Sequence, residues 1–421
     1  MSRSLTVVAL IDALGWTYVG DSDFLQDLLP YRQPLRTVLG FSSGAIPTML
    51  TGLPPAGTGH WNLFYYDPVH SPFAWLRPFR VLPRRVLDSR YSRALIKRLG
   101  RHVLGLGPLF ECSVSPSLLP WFNWIEKKNI FAPKGIGGAR SIFDWLGERS
   151  IPYHVYSYRD GNDAELFSAA GRDIRQSEAQ LFFIYLSEMD AFLHRHCAEP
   201  DSIRKRLRWY EEELRKVFRA ARQADPAATM TVVSDHGMTP VTKHYDLLAD
   251  LESLNLHTPD DYLAVYDSTM ARFWFFTPAA RTAIIDALRR VPCGRLLSDG
   301  ELSALGILFA DRRYGEAVFL LEPGCIMARS DFNGASWMPS GMHGFHPDDP
   351  NSDAIFLTNK SPGSPLRTIA HVYPWLVDSV LRSSFPVSGN APTVDRGQQE
   401  IPSSQGKQIR PCVEKAERAV L

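Results

Sequence analysis

Three apolar runs, each followed by an aspartate, most constrain what this chain folds into. The runs and their aspartates are residues 7–11 with Asp12, residues 181–186 with Asp190, and residues 230–234 with Asp235. Short runs rich in β-branched and aromatic residues are typical of buried strands in a parallel sheet. Because open α/β sheets bind their ligands beyond the carboxyl ends of the strands, we expect the three carboxylates to meet at one edge. Like charges this close need compensation, and a pair of metal cations would supply it.

The bulk composition is that of a globular enzyme. The chain has 421 residues, of which 45% are hydrophobic and 22% charged, enough for one large α/β domain with insertions. Its net charge of +1 creates no overall field that would attract nucleic acid, so no nucleic acid polymer is expected as a partner. The five cysteines are scattered, without the spacing of a zinc finger or a redox pair, and favour a reducing compartment.

The apolar stretches are too short to form a membrane span. None reaches the roughly 20 residues that a membrane helix needs. Residues 5–14 could pass for a signal peptide, but Asp12 interrupts the run, only Arg3 precedes it and no clear cleavage site follows. We therefore interpret this run as the first strand and expect a cytoplasmic protein.

The alternation of predicted strands and helices indicates an α/β fold. We expect a mostly parallel central sheet with helices on both faces, interrupted by two insertions. The predicted divisions are a core of residues 1–60, 139–245 and 331–385, an aromatic and basic lid of residues 61–138, a small α+β insertion of residues 246–330, and a tail of residues 386–421. The tail is polar with few residues to bury, so we expect it to be disordered.

Histidines accompany two of the three aspartates. Asp190 and His194 are four residues apart, so on a helix they share one face and both reach one ion. By itself such a pair is more often a surface or capping pair. Asp235 and His236 directly follow a predicted strand, and Gly237 turns the chain there, so one tight bend presents two ligands. The alternative is an ordinary turn that contains a histidine.

Two glycine-flanked segments supply further candidates. His343 lies between glycines that let the backbone approach an ion. The alternatives are that this segment is a plain surface loop, or that His346 is the ligand instead of His343. Ser42 and Ser43 follow Gly40 at a predicted helix start, where backbone N–H groups attract phosphate. Either hydroxyl is a candidate nucleophile, and the commoner role of serine at such a place is to cap the helix.

Taken in chain order, these motifs resemble the alkaline phosphatase superfamily, and within it the type I phosphodiesterase/nucleotide pyrophosphatase branch. The matching positions are Asp12 after the first strand, Ser42 nine residues before Thr51-Gly52, the downstream Pro55, Asp190 with His194, Asp235-His236-Gly237-Met238, and His343-Gly344. The resemblance covers residues 1–60, 140–245 and 335–385. Any one motif alone is weak, but the complete set in this order is specific.

The resemblance implies a site with two divalent ions, for which Zn²⁺ suits the mixed histidine and carboxylate ligands and Mn²⁺ or Fe are the alternatives. The implied ligands are Asp190, His194 and His343 for one ion, and Asp12, Asp235, His236 and the Ser42 oxygen for the other. Ser42 would attack phosphorus and form a phosphoseryl intermediate, with Ser43 as the alternative nucleophile. Asn62 lies close to where the branch places an asparagine that donates to a phosphoryl oxygen.

The predicted function is hydrolysis of phosphodiester or pyrophosphate bonds in a small anionic, phosphate-containing substrate. A phosphomonoesterase or a phosphonate hydrolase would use the same scaffold, and a non-catalytic binding protein would keep the fold without turnover. A sulfatase is disfavoured, because the Cys/Ser-x-Pro-x-Arg sequence of those enzymes is absent around Ser42. The sequence does not determine the oligomeric state or the physiological substrate.

The predicted lid has an unusual charge balance. Between Arg77 and Arg101 there are nine lysines and arginines against one acidic residue, Asp88, and aromatic residues lie among or beside them. We expect this lid to gather anionic substrates and to stack on a base or a lipid. Weak contact with a membrane surface is an alternative, and so is a solvated basic face over a small aromatic core.

Overall fold

Strands and helices alternate along most of the chain in this computed structural model, which describes residues 5–332 and 338–384. The strands are β1 Thr6–Ile11, β2 Tyr31–Leu35, β3 Phe64–Tyr66, β4 Phe122–Trp124, β5 Tyr153–Tyr156, β6 Leu181–Leu186, β7 Thr229–Val233, β8 Thr239–Pro240, β9 Lys243–Tyr245, β10 Tyr262–Tyr266, β11 Met270–Phe275, β12 Gly294–Leu296, β13 Ala317–Leu321, β14 Cys325–Met327, β15 Gly341–Met342 and β16 Ala354–Thr358. The α-helices are α1 Trp16–Val19, α2 Ser42–Thr51, α3 Pro55–Thr58, α4 Arg84–Leu87, α5 Arg90–His102, α6 Ile142–Glu148, α7 Asp163–Gln176, α8 Glu188–His196, α9 Pro200–Ala224, α10 Leu247–Glu252, α11 Pro278–Leu288, α12 Asp299–Ala304 and α13 Val372–Ser384. Short 3₁₀-helices lie at Ala74–Val81, Leu119–Trp121, Pro350–Ser352 and Ile369–His371. The predicted tail of residues 386–421 lies outside the described residues.

Six strands form the central sheet, in the order β2-β16-β7-β1-β6-β5. β1 pairs in parallel with β6 on one side and with β7 on the other, and β5 pairs in parallel with β6. β16 is antiparallel to both of its neighbours, β7 and β2. The predicted mostly parallel α/β fold is therefore confirmed, and the three strands that lead into aspartates lie side by side at its centre.

Helices cover both faces of this sheet because side chains alternate along β1. Val7, Ala9 and Ile11 pack into a core with side chains of α7 and α9. Val8 and Leu10 pack into a second core with side chains of α2, α6 and α13. Burial on both faces explains why β1 is apolar at every position from Val7 onward rather than at alternate positions.

The sequence does not indicate where two strands of the central sheet, β2 and β16, are placed. β2 is largely polar and contains Pro34, which is tolerated because this strand forms the edge of the sheet. β16 is apolar from Ala354 to Leu357, but its place in the sheet depends on pairing with segments far away in sequence. Its Phe356 lies opposite Gln33 on one side and Val233 on the other. Local periodicity does not contain that information.

The register of the central strands sets the position of the aspartates. Leu10 is level with Tyr185 in β6 and with Val233 in β7. Asp12 therefore follows β1 at the same edge of the sheet where Asp235 leaves β7. α8 begins shortly after β6 ends and carries an aspartate in its first turn to that edge.

A second sheet lies in residues 246–330. It is antiparallel, with the order β10-β11-β13-β12, and α11 packs on it. Within residues 61–138, β3 and β4 pair antiparallel, with Phe64 opposite Trp124. Side chains from both parts, including Phe64, Trp124 and Trp274, share one apolar cluster. The division of the chain into a core and two insertions stays a prediction.

The longest helix, α9, has 25 residues and is rich in charged side chains. Within the described ranges, neither this helix nor any other combines the length and the apolar character needed to cross a bilayer. The cytoplasmic location stays a prediction.

Candidate metal and nucleophile site

Asp12, Asp235 and His236 form a first group of side chains at the carboxyl edge of the sheet. None of the three is more than 4% exposed. His236 Nε2 lies 3.5 Å from Asp12 Oδ1 and 3.3 Å from Asp235 Oδ2. The fold thus brings together three potential ligand atoms from the ends of two neighbouring strands.

The Ser42 hydroxyl lies within this first group. Its Oγ is 3.0 Å from His236 Nε2 and 3.3 Å from Asp12 Oδ1, and α2 begins at Ser42. The Ser43 hydroxyl is buried and donates to the Trp61 carbonyl oxygen at 2.7 Å. Of the two candidate nucleophiles, Ser42 is therefore the one whose hydroxyl contacts the carboxylate and imidazole groups.

Asp190, His194 and His343 form a second group. Asp190 Oδ1 lies 3.4 Å from Nε2 of His194 and 3.4 Å from Nε2 of His343. Asp190 and His194 are one turn apart on α8, and His343 directly follows β15. Gly344 has a φ of 89°, and a Cβ at this position would lie 2.9 Å from Thr269 Oγ1. The turn that presents His343 therefore requires glycine.

The two groups are adjacent because the rings of His236 and His343 stack, with centroids 3.9 Å apart. The potential ligand atoms that lie within 4.8 Å of one another form two sets, Asp12 with Asp235 and His236, and Asp190 with His236 and His343. His236 belongs to both sets, whereas the family resemblance assigns it to the Asp12 group and puts His194 beside Asp190. Which ligand holds which ion stays a prediction.

The spacing of these atoms suits a divalent cation. Tetrahedral Zn²⁺ with bonds of about 2.0–2.1 Å places neighbouring nitrogen and oxygen ligands about 3.4 Å apart. The contacts of these carboxylate oxygens with imidazole nitrogens are 3.3 to 3.5 Å long. Asp190 Oδ1 and Asp235 Oδ2 are buried and have no hydrogen-bond donor among the described residues. Because a buried carboxylate oxygen without a partner is costly, a cation beside each would stabilise the fold.

Two further contacts orient the carboxylates of the first group. The Tyr185 hydroxyl donates to Asp12 Oδ2, and the Ala13 N–H donates to Asp235 Oδ1 at 3.2 Å. Ala13 has a φ of 61°, which is uncommon for a residue with a Cβ and is found preferentially at functional sites. Tyr185 has no sequence signal for this role, because its place in a buried strand gives no sign that its hydroxyl reaches Asp12.

Backbone carbonyl groups orient two of the histidines. His236 Nδ1 lies 2.9 Å from the Gly237 carbonyl oxygen, and His194 Nδ1 lies 2.8 Å from the Gly341 carbonyl oxygen. An Nδ1–H that donates to a carbonyl leaves Nε2 as the metal-binding atom of a neutral imidazole. Nε2 is also the atom that faces the carboxylates in both histidines.

The electrostatics of the cluster also favour a bound cation. Burial raises the pKa of Asp12 well above its usual value, and the neighbouring carboxylates of Asp235 and Asp190 raise it further. Burial lowers the pKa of His343 well below its usual value, and His236 contributes. This imidazole is therefore neutral, as a ligand must be. Divalent cations would offset the carboxylate repulsion that raises the pKa of Asp12.

Asn62 and His346 make other contacts. Asn62 is fully buried, and its Nδ2 lies 3.3 Å from Asp267 Oδ2. Its role as a donor to a phosphoryl oxygen stays a prediction. His346 Nδ1 lies 3.3 Å from Asp348 Oδ2, and His346 borders a separate cavity of about 700 Å³. Of the two candidate histidines in this loop, His343 is the one that contacts the ligand groups.

A cavity of about 460 Å³ adjoins the two groups. Ser42, Asp190 and His343 are among the residues that line it. Its apolar walls consist of Phe41, Leu63, Phe64, Leu109, Trp124, Val265 and Phe332. Its further acidic residues are Glu111, Glu126, Asp267 and Asp331. The described lining residues include no lysine or arginine, so the basic side chains of the predicted lid do not line this cavity.

The acidic residues of the cavity differ in charge state. Arg272 neutralises Asp267, with Nε 2.6 Å from Oδ2. Burial raises the pKa of Glu126 to about 7 and the pKa of Asp331 to about 7. Near neutral pH both of these carboxyl groups are therefore partly protonated, and the cavity is less negative than its composition suggests.

A family model and several solved structures match this chain. The family model, type I phosphodiesterase/nucleotide pyrophosphatase, matches residues 127–294. This stretch contains Asp190, His194, Asp235 and His236. No curated protein matches the chain by sequence.

The solved structures cover nearly the whole chain. Human ectonucleotide pyrophosphatase/phosphodiesterase 5 matches with a TM-score of 0.64 and 13% identity, over 90% of this chain and 95% of that chain. The murine protein of the same name matches with a TM-score of 0.64 and 14% identity, over 92% and 98% of the two chains. An inactive form of the murine protein in complex with AMP matches with a TM-score of 0.63 and 15% identity, over 92% and 97%. At these identities the likeness establishes the fold.

Proposed function

We propose that this chain is a metal-dependent hydrolase of phosphodiester or pyrophosphate bonds. Its family match and its fold support a relationship to the type I phosphodiesterases/nucleotide pyrophosphatases of the alkaline phosphatase superfamily. The observation that carries the proposal is the position of the Ser42 hydroxyl. It lies 3.0 Å from His236 Nε2 and 3.3 Å from Asp12 Oδ1, among ligand atoms that are spaced for a cation. The murine relative in complex with AMP supports a small phosphate-containing substrate of the nucleotide type.

The two groups of side chains would hold two divalent ions, with Zn²⁺ as the first candidate and Mn²⁺ or Fe as alternatives. The proposed ligands are Asp12, Asp235, His236 and the Ser42 oxygen for one ion, and Asp190, His194 and His343 for the other. When bound, such ions lower the pKa of a coordinated hydroxyl and offset negative charge on phosphoryl oxygens.

Ser42 supplies the nucleophile of the proposed reaction. Its Oγ forms a bond to phosphorus while the bond from phosphorus to the leaving oxygen breaks, and the serine proton ends on the leaving group. Water then hydrolyses the phosphoseryl group and restores the hydroxyl. Because Ser42 is the first residue of a ten-residue helix, the positive end of the helix dipole favours the negative charge that gathers there. Positioning and charge neutralisation supply most of the rate in phosphoryl transfer.

The family match favours a diester or pyrophosphate over a monoester. The cavity of about 460 Å³ beside Ser42 offers room for an organic substituent of the phosphate group. Its apolar walls would bind the uncharged part of such a substituent. A phosphomonoesterase or phosphonate hydrolase remains the alternative on the same scaffold, and a non-catalytic binding protein is the alternative from another class.

Two chromogenic substrates separate these functions. We expect the Zn²⁺-loaded protein to hydrolyse bis(p-nitrophenyl) phosphate faster than p-nitrophenyl phosphate, and a chelator to abolish both activities. A preference for the monoester would assign the protein to the phosphatases. Absence of turnover with Zn²⁺, Mn²⁺ and Fe would contradict the proposal and favour a binding protein.

Adjacent serines provide a matched pair of variants. Ser42→Ala should lower turnover by at least about 10³-fold while most of the bound metal remains, because the carboxylate and imidazole ligands are intact. Ser43→Ala loses the hydrogen bond to Trp61 and some stability, but it should retain turnover. Normal turnover in Ser42→Ala, with loss of turnover in Ser43→Ala, would move the role of nucleophile to Ser43.

A further inference from the structure

Large hydrophobic side chains are exposed in one stretch of the chain. Among the described residues, ten of the sixteen such side chains lie between Val69 and Leu109. Val81 is 87% exposed, and Tyr91 and Val103 are each 71% exposed. Single exposed apolar residues are normal, but a concentration of this kind indicates an interaction surface. The exposed residues between Val69 and Leu109 are called the 69–109 face below.

Consecutive helices carry the 69–109 face. The 3₁₀-helix Ala74–Val81 contacts α4, and α4 contacts α5. Their inward side chains, among them Leu76 and Ile96, are buried in the apolar cluster beneath. On α5, Tyr91 and Leu95 are one turn apart and both exposed, whereas Ile96 points inward. This helix therefore has more apolar surface than the core of the protein uses.

The same stretch concentrates positive charge. Nine basic residues and Asp88 give residues 77–101 a net charge of +8, while the whole chain has +1, so all other residues together carry −7. Arg80, Arg85 and Arg98 are exposed, and within residues 5–332 and 338–384 none of them forms an ion pair with a carboxylate. These guanidinium groups lie beside exposed apolar side chains and are available to an anionic partner.

We propose that the 69–109 face docks on a membrane surface that contains anionic lipids. Such a surface offers negative headgroups to the arginines and an apolar layer beneath them to the valine and aromatic side chains. A nucleic acid would neutralise the arginines but would leave side chains such as Val81 and Val103 without an apolar environment. The docking is independent of the proposed hydrolysis, because none of the proposed metal ligands lies in the 69–109 face.

The 69–109 face borders the candidate active site. Leu109 is 43% exposed and also lines the cavity that contains Ser42. Docking therefore brings this cavity close to the lipid headgroups, which contain phosphodiester bonds.

Co-sedimentation with lipid vesicles tests the docking. The full chain should bind vesicles of phosphatidylcholine mixed with phosphatidylserine and bind weakly to phosphatidylcholine alone, and added salt should weaken binding by screening. Arg85→Ser combined with Arg98→Ser should lower the partition coefficient about 25-fold, at about fivefold for each charge. Val81→Ser combined with Val103→Ser should lower it about tenfold or more, because two apolar side chains no longer insert.

Matched variants elsewhere on the surface serve as controls. Arg222→Ser combined with Arg290→Ser removes two exposed arginines outside the 69–109 face. Leu53→Ser removes an apolar side chain that is 41% exposed. Both controls should bind vesicles like the wild type, and unchanged thermal unfolding midpoints would show that all variants fold. Ser42→Ala should also bind vesicles normally, so failure of docking and failure of the proposed hydrolysis are separate results.

Three outcomes would overturn the docking proposal. They are no binding to the mixed vesicles, equal binding to both kinds of vesicle, and unchanged binding of either double variant of the face. A different result would assign the 69–109 face to nucleic acid instead. In that case the protein would bind an oligonucleotide, and its salt-sensitive binding would need Arg85 and Arg98 but not the valines.

Discussion

Removal of one hydroxyl group, in Tyr185→Phe, tests whether the carboxylate and histidine cluster holds metal. The Tyr185 hydroxyl donates to Asp12 Oδ2, while Asp12 Oδ1 faces Ser42 and His236. Burial raises the pKa of Tyr185 well above its usual value, with Asp12 contributing, so the phenol keeps its proton at neutral pH and acts as the donor. The substitution therefore removes the group that orients a proposed ligand without removing any ligand atom.

Two independent estimates of the Zn²⁺ binding free energy lost in Tyr185→Phe agree. A hydrogen bond to a charged group contributes about 1.5–3 kcal/mol. Loss of a contact that orients a metal ligand lowers metal affinity about 10–100-fold, which corresponds to about 1.4–2.7 kcal/mol. Tyr185 is 6% exposed and Asp12 is 4% exposed, but Tyr185 also lines the cavity beside Ser42, from which water can replace part of the lost donor. We expect the loss of Zn²⁺ affinity to lie within this range.

Competition with a chromophoric chelator measures the affinity for Zn²⁺ in each variant. Tyr156→Phe is the matched control, because Tyr156 is 7% exposed and its hydroxyl donates to Asp173 Oδ2 at 2.8 Å, outside the ligand groups. It should lower the free energy of unfolding but leave the Zn²⁺ affinity unchanged. Wild-type affinity in Tyr185→Phe would refute the assignment of Asp12 as a ligand. Equal loss in both variants would show that the effect is one of global stability.

Metal removal and pH provide two further predictions. A bound ion at 1,000 times its dissociation constant adds about 4 kcal/mol to the free energy of unfolding, so calorimetry should show a lower unfolding midpoint after chelation and recovery with Zn²⁺. Identical midpoints would contradict metal binding by these side chains. The KM for an anionic diester should rise as the pH increases through about 7. Burial raises the pKa values of Glu126 and Asp331 to about 7, so these carboxyl groups are neutral below that pH and negative above it. Glu126→Gln should reduce this rise, and a KM that is independent of pH in both proteins would refute the reasoning.

The central strands could be predicted from local pattern alone. β1, β6 and β7 are buried on both faces, so each is rich in apolar and β-branched residues, and such runs are visible in a sequence. β2 lacks this signal because it lies at the edge of the sheet and tolerates polar residues and Pro34. The antiparallel insertion of β16 between β2 and β7 is a long-range pairing that no local window contains.

The residues of the candidate site also divide into those that the sequence predicts and those that only the structure locates. The aspartates and histidines can be found because they follow strands or share a helix turn, which fixes their spacing along the chain. The choice between Ser42 and Ser43 could not be made from the sequence, because both hydroxyl groups lie at the same helix start. The rotation of α2 distinguishes the two hydroxyl groups, since that of Ser42 contacts His236 and that of Ser43 contacts the Trp61 carbonyl group. The role of Ser42 as the nucleophile stays a prediction.

The sequence by itself predicted the α/β fold, the resemblance to the type I phosphodiesterases/nucleotide pyrophosphatases and the residues proposed to bind cations, because these depend on periodicity and on the order of short motifs. Only the tertiary structure decided that Tyr185 orients Asp12, that acidic and apolar side chains line the cavity, and that many basic side chains of residues 77–101 are exposed at the surface. The physical reason is that these properties depend on which surfaces pack together, and packing joins residues that are far apart along the chain.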